Sequence, residues 1–204
     1  MEYNDKHLQI MEAAEFLFSE KGFEGTSVRD IAQKAGVNLA MISYYFGSKE
    51  KLMEAIFGYR GHRLTVQLES MLQETSTPSI EKIYKLIEYY IDKFQQQTCF
   101  HRIMVREQLL HPTGPMGDMI LKLKITNLNL VKQLIKEGQR KGEFIKNIDI
   151  QLMMSTLIGC VNHTLSSQHY YKEMENLQGL SEVEFQKHIR RKLSTHLKKI
   201  FKIS

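Results

Sequence analysis

The sequence predicts an all-α protein, and three observations predict it. Apolar residues recur at helical spacing along almost all of the 204 residues, and no stretch alternates for long enough to make a strand. The three prolines, Pro78, Pro112 and Pro115, fall where other signals also end or begin a helix, which leaves the helix interiors free of breakers.

Each element has its own local justification. The first helix is expected from an N-cap at Asp5, through Leu8, Ile10, Met11, Ala14, Leu17 and Phe18, to Lys21-Gly22, where the glycine suits a left-handed C-cap. Thr26-Ser27 offers a hydroxyl cap, with Asp30 three or four residues on, for a short helix from Val28 to Lys34 that stops before Gly36. Asn38 caps the next helix, which runs to Tyr45 before Phe46-Gly47 breaks it. Ser48 caps a connecting helix over 48–72, with Glu50 in its first turn, where a carboxylate suits the helix dipole. Polar Thr75-Ser76-Thr77 then precedes Pro78 at a first helical position. Further helices are predicted over 79–97, 100–110, 117–138, 149–172 and 182–202, the last opening on a Ser181/Glu184 capping box. Residues 1–50 thus form one compact three-helix unit with a helix-turn-helix at 27–46, and residues 75–204 a larger helical bundle.

Composition narrows the class. With 42% hydrophobic and 25% charged residues the chain is neither disordered, collagen-like nor a disulfide scaffold. The longest apolar stretch, Ile150 to Val161, is interrupted by Gln151, Ser155 and Thr156 and falls short of the roughly 20 residues a membrane span needs. No membrane partner is expected. The opening Met1-Glu2-Tyr3-Asn4-Asp5-Lys6 has no apolar core of a secretory signal, and the two cysteines, Cys99 and Cys160, suit a reducing compartment, so a cytoplasmic location is expected. The net charge is +5, but residues 1–63 carry eight Lys/Arg against nine Asp/Glu, so bulk charge does not argue for nucleic-acid binding by the first unit. A run without acids, Lys187, Arg190, Arg191, Lys192, Lys198, Lys199 and Lys202, reads first as a solvated helix face.

The informative segment is Thr26 to Phe46. Ile31, Ala32 and Ala35 put small and apolar groups on one side of the first short helix, Gly36 permits a tight turn, and Val37 and Ile42 fill the space between the helices. The second helix is left with an exposed face of Asn38, Leu39, Ala40, Met41, Ser43, Tyr44 and Tyr45, free of large charged groups and suited to a major groove. Patterning alone leaves a second reading open, a plain helical hairpin with Tyr44 and Tyr45 as packing aromatics.

Those residues, in order, resemble the DNA-binding domain of the TetR/AcrR family of bacterial helix-turn-helix regulators: Gly22-Phe23, Thr26-Ser27-Val28, Ile31-Ala32, Ala35-Gly36-Val37 and Tyr45-Phe46-Gly47-Ser48-Lys49-Glu50-Lys51-Leu52. The resemblance covers about fifty residues without a gap. It implies an all-helical homodimer whose small DNA-binding domain precedes a larger ligand-binding and dimerisation domain. It places phosphate contacts on Thr26, Ser27, Tyr44, Tyr45 and Lys49, with Ser43 where many members carry tyrosine, and turns Asn38, Leu39, Ala40 and Met41 toward base edges. Leu39, Ala40 and Met41 offer only apolar contact, so hydrogen-bond readout falls to Asn38 and to neighbours such as Arg29.

The larger domain is less explicit. Tyr90, Phe94, Phe100, His101, Met104, Met153, Leu157 and His163 are candidate ligand-pocket residues, although stripes of this kind are also what a plain core shows. Leu157, Val161, Ile189, Leu193, Leu197 and Ile200 are the expected dimer interface, since the 149–172 helix is apolar around much of its circumference. Cys160 and His163 share a helical face, and Cys99 and His101 could supply a second pair for zinc, but the tight loop spacing of a zinc site is missing and no metal is assigned. No cofactor is expected beyond an unknown small-molecule effector. The resulting expectation is a sequence-specific DNA-binding repressor released from a pseudo-palindromic operator by that effector. An activator or architectural protein without effector is the alternative, and a helical enzyme a more distant one, because no phosphate loop or nucleophile motif is present.

Overall fold

The computed structural model describes residues 3–201, and the described residues form helices and connections without a strand. Ten helices follow in order: α1 Asp5–Lys21, α2 Val28–Ala35, α3 Leu39–Phe46, α4 Lys49–Gln73, α5 Ser79–Gln96, α6 Thr98–Leu110, α7 Pro115–Arg140, α8 Ile150–Ser166, α9 Gln168–Met174 and α10 Glu182–Ile200. Lys202 of the basic run, and the end of the predicted 182–202 helix, lie outside the described residues.

The chain divides into two compact units. One gathers residues up to Val66 with Thr98–Lys124, the other Gln67–Gln97 with the chain from Ile125 onward. Helix α6, which the sequence put with the larger domain, therefore packs with α1 in the first unit.

In the first unit, Ile10, Ala14 and Phe18 of α1 meet Ile31 and Ala32 of α2, Ile42 and Phe46 of α3, Leu52, Met53, Ile56 and Phe57 of α4, and Phe100 and Ile103 of α6. Each of the Ile, Leu, Met and Phe side chains contributes about 1.5–3 kcal/mol on burial. The rings of Phe57 and Phe100 lie 5.1 Å apart. Phe100 is thus core of the first unit, not the wall of a pocket in the second, and Met104 packs against the same cluster.

Local chemistry corrects two ends of α1. Its cap is Asn4 rather than Asp5, the amide oxygen accepting from the backbone N–H of Lys6 and His7 at 3.1 Å each, which frees Asp5 to sit in the first turn against the helix dipole. Gly22 ends the helix with φ 79° and ψ 170°, a region open only to glycine but not the left-handed helical one expected. A Cβ there would also meet the Arg106 guanidinium of α6 at 2.7 Å.

In the second unit α5, α8 and α10 pack mutually. Ile83, Leu86, Tyr90, Ile91 and Phe94 of α5 are buried with Met153, Leu157 and Val161 of α8 and Phe185, Ile189, Leu193 and Leu197 of α10. This corrects the expected dimer stripe: Leu157, Val161, Ile189, Leu193 and Leu197 are buried within one chain because α10 spends its apolar face on α5 and α8, and only Ile200, 45% exposed, remains outward. The predicted 149–172 helix is broken at Ser167 (φ −109°, ψ 32°) into α8 and α9, a bend placed at the Ser166-Ser167 pair, where helix propensity is low. Asp149 is the cap of α8 rather than its first residue, and Pro78 precedes α5 as its cap instead of opening it.

Ion pairs line this bundle. The fully buried Lys82 lies 3.4 Å from Glu137, which Lys141 also contacts at 2.6 Å. Arg190 bridges Asp92 at 2.6 Å and Glu88 at 2.9 Å, Lys198 reaches Glu88 at 2.5 Å, and Lys192 contacts Glu175. Three members of the basic run are thereby neutralised by carboxylates of the same unit, while Lys187, Arg191 and Lys199 stay exposed.

Candidate nucleic-acid interface

The surface that matters is built by turns that position two short helices, α2 and α3. Ser27 and Asp30 form a reciprocal capping box: the Asp30 N–H donates to the Ser27 hydroxyl at 3.1 Å, and the Ser27 N–H to the Asp30 carboxylate at 3.2 Å. Those bonds hold the Asp30 carboxyl below its ordinary range, so the one acid of α2 is occupied with its own helix end. Gly36 closes α2 in the left-handed conformation (φ 62°, ψ 36°), with its N–H bonded to Ala32 and Gln33 and the Val37 N–H to the Ala32 carbonyl at 3.0 Å. From α1, Gln9 donates to the Ala35 carbonyl at 2.8 Å and fixes that same end.

Asn38 then starts α3, its amide oxygen accepting from the Ala40 N–H at 3.0 Å. Ile42 and Phe46 turn into the core, 1% and 8% exposed. The opposite face holds exposed Asn38, Leu39, Ala40 and Ser43 with half-buried Met41. At its end Tyr44 is 84% exposed, and Tyr45 is half-buried with its ring 4.5 Å from that of His7. No charged residue lies on α3, and Arg29 is exposed on α2. The face offers short polar and apolar groups first and phenols last, in the order that groove entry and flanking phosphates require.

Two expected phosphate contacts are placed otherwise. Thr26 is 1% exposed and its hydroxyl donates to the Gly22 carbonyl at 2.8 Å, because Ser27, three residues before Asp30, takes the capping role and leaves Thr26 to close the turn. Its hydroxyl does not reach the surface. Lys49 aims its ammonium at the Phe23 and Thr26 carbonyls, at 2.9 and 3.2 Å, and lies 4.2 Å from the Phe23 ring centre. Two of its three donors are thereby spent on the backbone. Sequence reasoning missed Gln9, His7 and the Lys49 clamp, since each acts on a partner more than twenty residues away or through a ring whose place only the fold sets.

The acids of α1 are in part internally engaged. Glu15 is 5% exposed against Arg60 at 2.8 Å, and burial raises its carboxyl despite that guanidinium; Glu20 pairs with Arg102. The expected pocket residues do not converge. Tyr90, Phe94, Met153 and Leu157 are buried in the second unit, where burial pushes the Tyr90 hydroxyl far above its ordinary range, whereas Phe100, His101 and Met104 belong to the first. His163 is exposed and borders a groove of about 300 Å³ with Cys160, Tyr171, Lys192 and His196. Among the described residues no three His, Cys, Asp or Glu are grouped to hold a metal, and no helix is long and apolar enough to cross a membrane.

Residues 10–56 match the family described as bacterial regulatory proteins, tetR family, and residues 61–190 match the YsiA-like protein, C-terminal region. The chain belongs to the TetR family. It is similar to "Probable HTH-type transcriptional regulator YttP" of Bacillus subtilis, 35% identical over 67% of this chain and 66% of that protein, just under two thirds of its length. It is also 30% identical to the HTH-type transcriptional repressor NicS of Pseudomonas putida, over 78% of this chain and 77% of that one. Its fold is that of the transcriptional regulator FadR from Bacillus subtilis, solved in complex with stearoyl-CoA, with a TM-score of 0.68 over 97% of both chains at 21% identity. This TetR-family chain is a DNA-binding transcriptional regulator, and the hairpin of α2 and α3 lies within the matched residues 10–56.

Proposed function

We propose that this TetR-family regulator is a cytoplasmic repressor that binds a pseudo-palindromic operator as a homodimer and leaves it when a small molecule binds. The observation that carries the reading is α3: an eight-residue helix without charge, its polar and apolar face exposed, capped by Asn38 and ended by the outward Tyr44. Ser27, Arg29, Ser43, Tyr44, Tyr45 and the remaining donor of Lys49 take phosphates, and Asn38, Leu39, Ala40 and Met41 face bases. Two copies of α3 then enter successive major grooves roughly 34 Å apart. The mate is met by the outward faces of α8 and α10, where Leu152 and Val183 are each 64% exposed, with Ile200.

The first unit reads DNA and the second holds the effector, with α4 running from one into the other as the lever. An effector that favours the wrong α3 separation shifts the population off the operator by no more than its differential affinity. The stearoyl-CoA held by FadR makes a long-chain acyl-CoA the first class to test. The test is retention of genomic fragments at about 0.15 M salt, with sequencing of the retained pool. One enriched inverted repeat beside a promoter, released by acyl-CoA, is the expected result; no enriched motif, with Tyr44→Ala equal to wild type, overturns it.

A further inference from the structure

We propose that His7 and Tyr3 are positioning residues for operator binding, holding the Tyr45 phenol in place and tying it to α4 through a ladder of aromatic rings. The proposal rests on the DNA-binding role assigned to α3 above. Tyr44 and Tyr45 at the end of α3 have ring centres 5.2 Å apart; Tyr45 lies 4.5 Å from His7 of α1, His7 5.5 Å from Tyr3, and Tyr3 5.8 Å edge-on from Tyr59 of α4. The last ring carries the Arg60 guanidinium, 5.5 Å from its centre, and that arginine is the one paired with buried Glu15. A continuous chain of contacts therefore leads from a phosphate-facing phenol to a buried ion pair, all within the first unit.

The orientation of the His7 ring is fixed chemically. The side-chain oxygen of Asn4 accepts two backbone N–H groups as the α1 cap, which identifies it as oxygen, and an oxygen can only accept; Nδ1 of His7, 2.8 Å away, must be the donor. The cap of α1 thus clamps the imidazole, and the imidazole presents its faces and edge to Tyr45, Phe46 and Tyr3. Tyr45 is half-buried, packed against the core of the first unit as well as His7, whereas Tyr44 beside it is 84% exposed. The preference of rings for offset and edge-on pairs makes the arrangement directional, so a displacement of α4 at Tyr59 is passed to Tyr45.

The experiment uses the full chain and the fragment that wild type retains most strongly, at fixed salt, with thermal unfolding of each variant recorded alongside. Removing the His7 ring, and with it the contact that holds Tyr45, is expected to weaken operator binding by about tenfold for His7→Ala. His7→Phe, which keeps the ring, is expected to stay within about threefold of wild type. In a Tyr45→Ala background His7→Ala should add less than about twofold, because its effect runs through Tyr45. Tyr3→Ala provides a second break at the other end of the ladder, with the same coupling to Tyr45→Ala. Losses that simply add, or His7→Ala binding like wild type, overturn the proposal while leaving the regulator reading intact. Wild type that retains no fragment overturns the regulator reading and this proposal with it.

Discussion

The recognition hairpin of the first unit and the α5/α8/α10 bundle of the second are held by different means, although the first unit also has the Glu15–Arg60 pair and the second the Ser181/Glu184 capping box. In the first, polar side chains are directed at the backbone: Ser27 and Asp30 cap α2, Gln9 holds its far end, Asn38 caps α3, and Lys49 ties the Phe23–Thr26 turn. In the second, polar side chains are directed at one another, as in Lys82 with Glu137 and Arg190 with Asp92 and Glu88, around an apolar stripe shared by α5, α8 and α10. Backbone-directed bonds fix where short helices point, which a surface that reads DNA needs. Side-chain pairs hold whole helices side by side and leave them freer to shift.

Breaking a pair in the second unit should have the largest effect on stability. Glu137→Ala leaves Lys82 buried without its carboxylate and should cost about 3–5 kcal/mol, read as a lower urea midpoint. Next is Gly36→Val, where open space surrounds the position and only the left-handed backbone is at fault, for about 1–2 kcal/mol, with operator affinity falling further than stability. Ser27→Ala should cost about 1 kcal/mol through the lost cap. It should also flatten the acid limb of stability. The lowered Asp30 carboxyl contributes stability above its unfolded value near pH 4, lost as pH falls through the folded value; unfolding followed by circular dichroism from pH 6 to 3 checks the sign. The smallest effect belongs to Tyr44→Phe, which removes one hydroxyl from an exposed ring: unchanged stability and about a threefold to tenfold loss of operator affinity in a titration at fixed salt.

Legibility in the sequence followed the same division. The Asn38 cap, the Gly36 turn and the capping box at Ser181/Glu184 are contained within a few residues, and the sequence placed each of them; the cap of α2 it narrowed to Thr26 or Ser27, and the structure selects Ser27. The apolar stripe of α10 was equally visible, but whether it meets α5 and α8 of its own chain or a second copy depends on contacts with helices far off in the sequence, as in Arg190 with Asp92, 98 residues away. Leu193 and Leu197 accordingly went to the wrong partner. The pocket candidates failed for the same reason: Phe100 and Tyr90 look alike on their helices and lie in different units. The family resemblance supplied what spacing did not, that the hairpin is one that reads DNA. It misplaced the Thr26 hydroxyl because a motif records residue type and not which of two adjacent hydroxyls the turn consumes.

Asn38 carries a consequence for the operator. In its common bidentate recognition of adenine, an asparagine gives a hydrogen to N7 and takes one from the N6 amino group, which needs both ends of the amide. Here one lone pair of the oxygen is held by the Ala40 N–H, so the amide can turn toward a base only as far as that cap bond allows. On the proposed reading, the two amide N–H groups stay available to edges such as guanine O6 and N7, and the oxygen keeps one lone pair for an adenine amino group. The bond that starts α3 thus also limits how this side chain can be presented to a base.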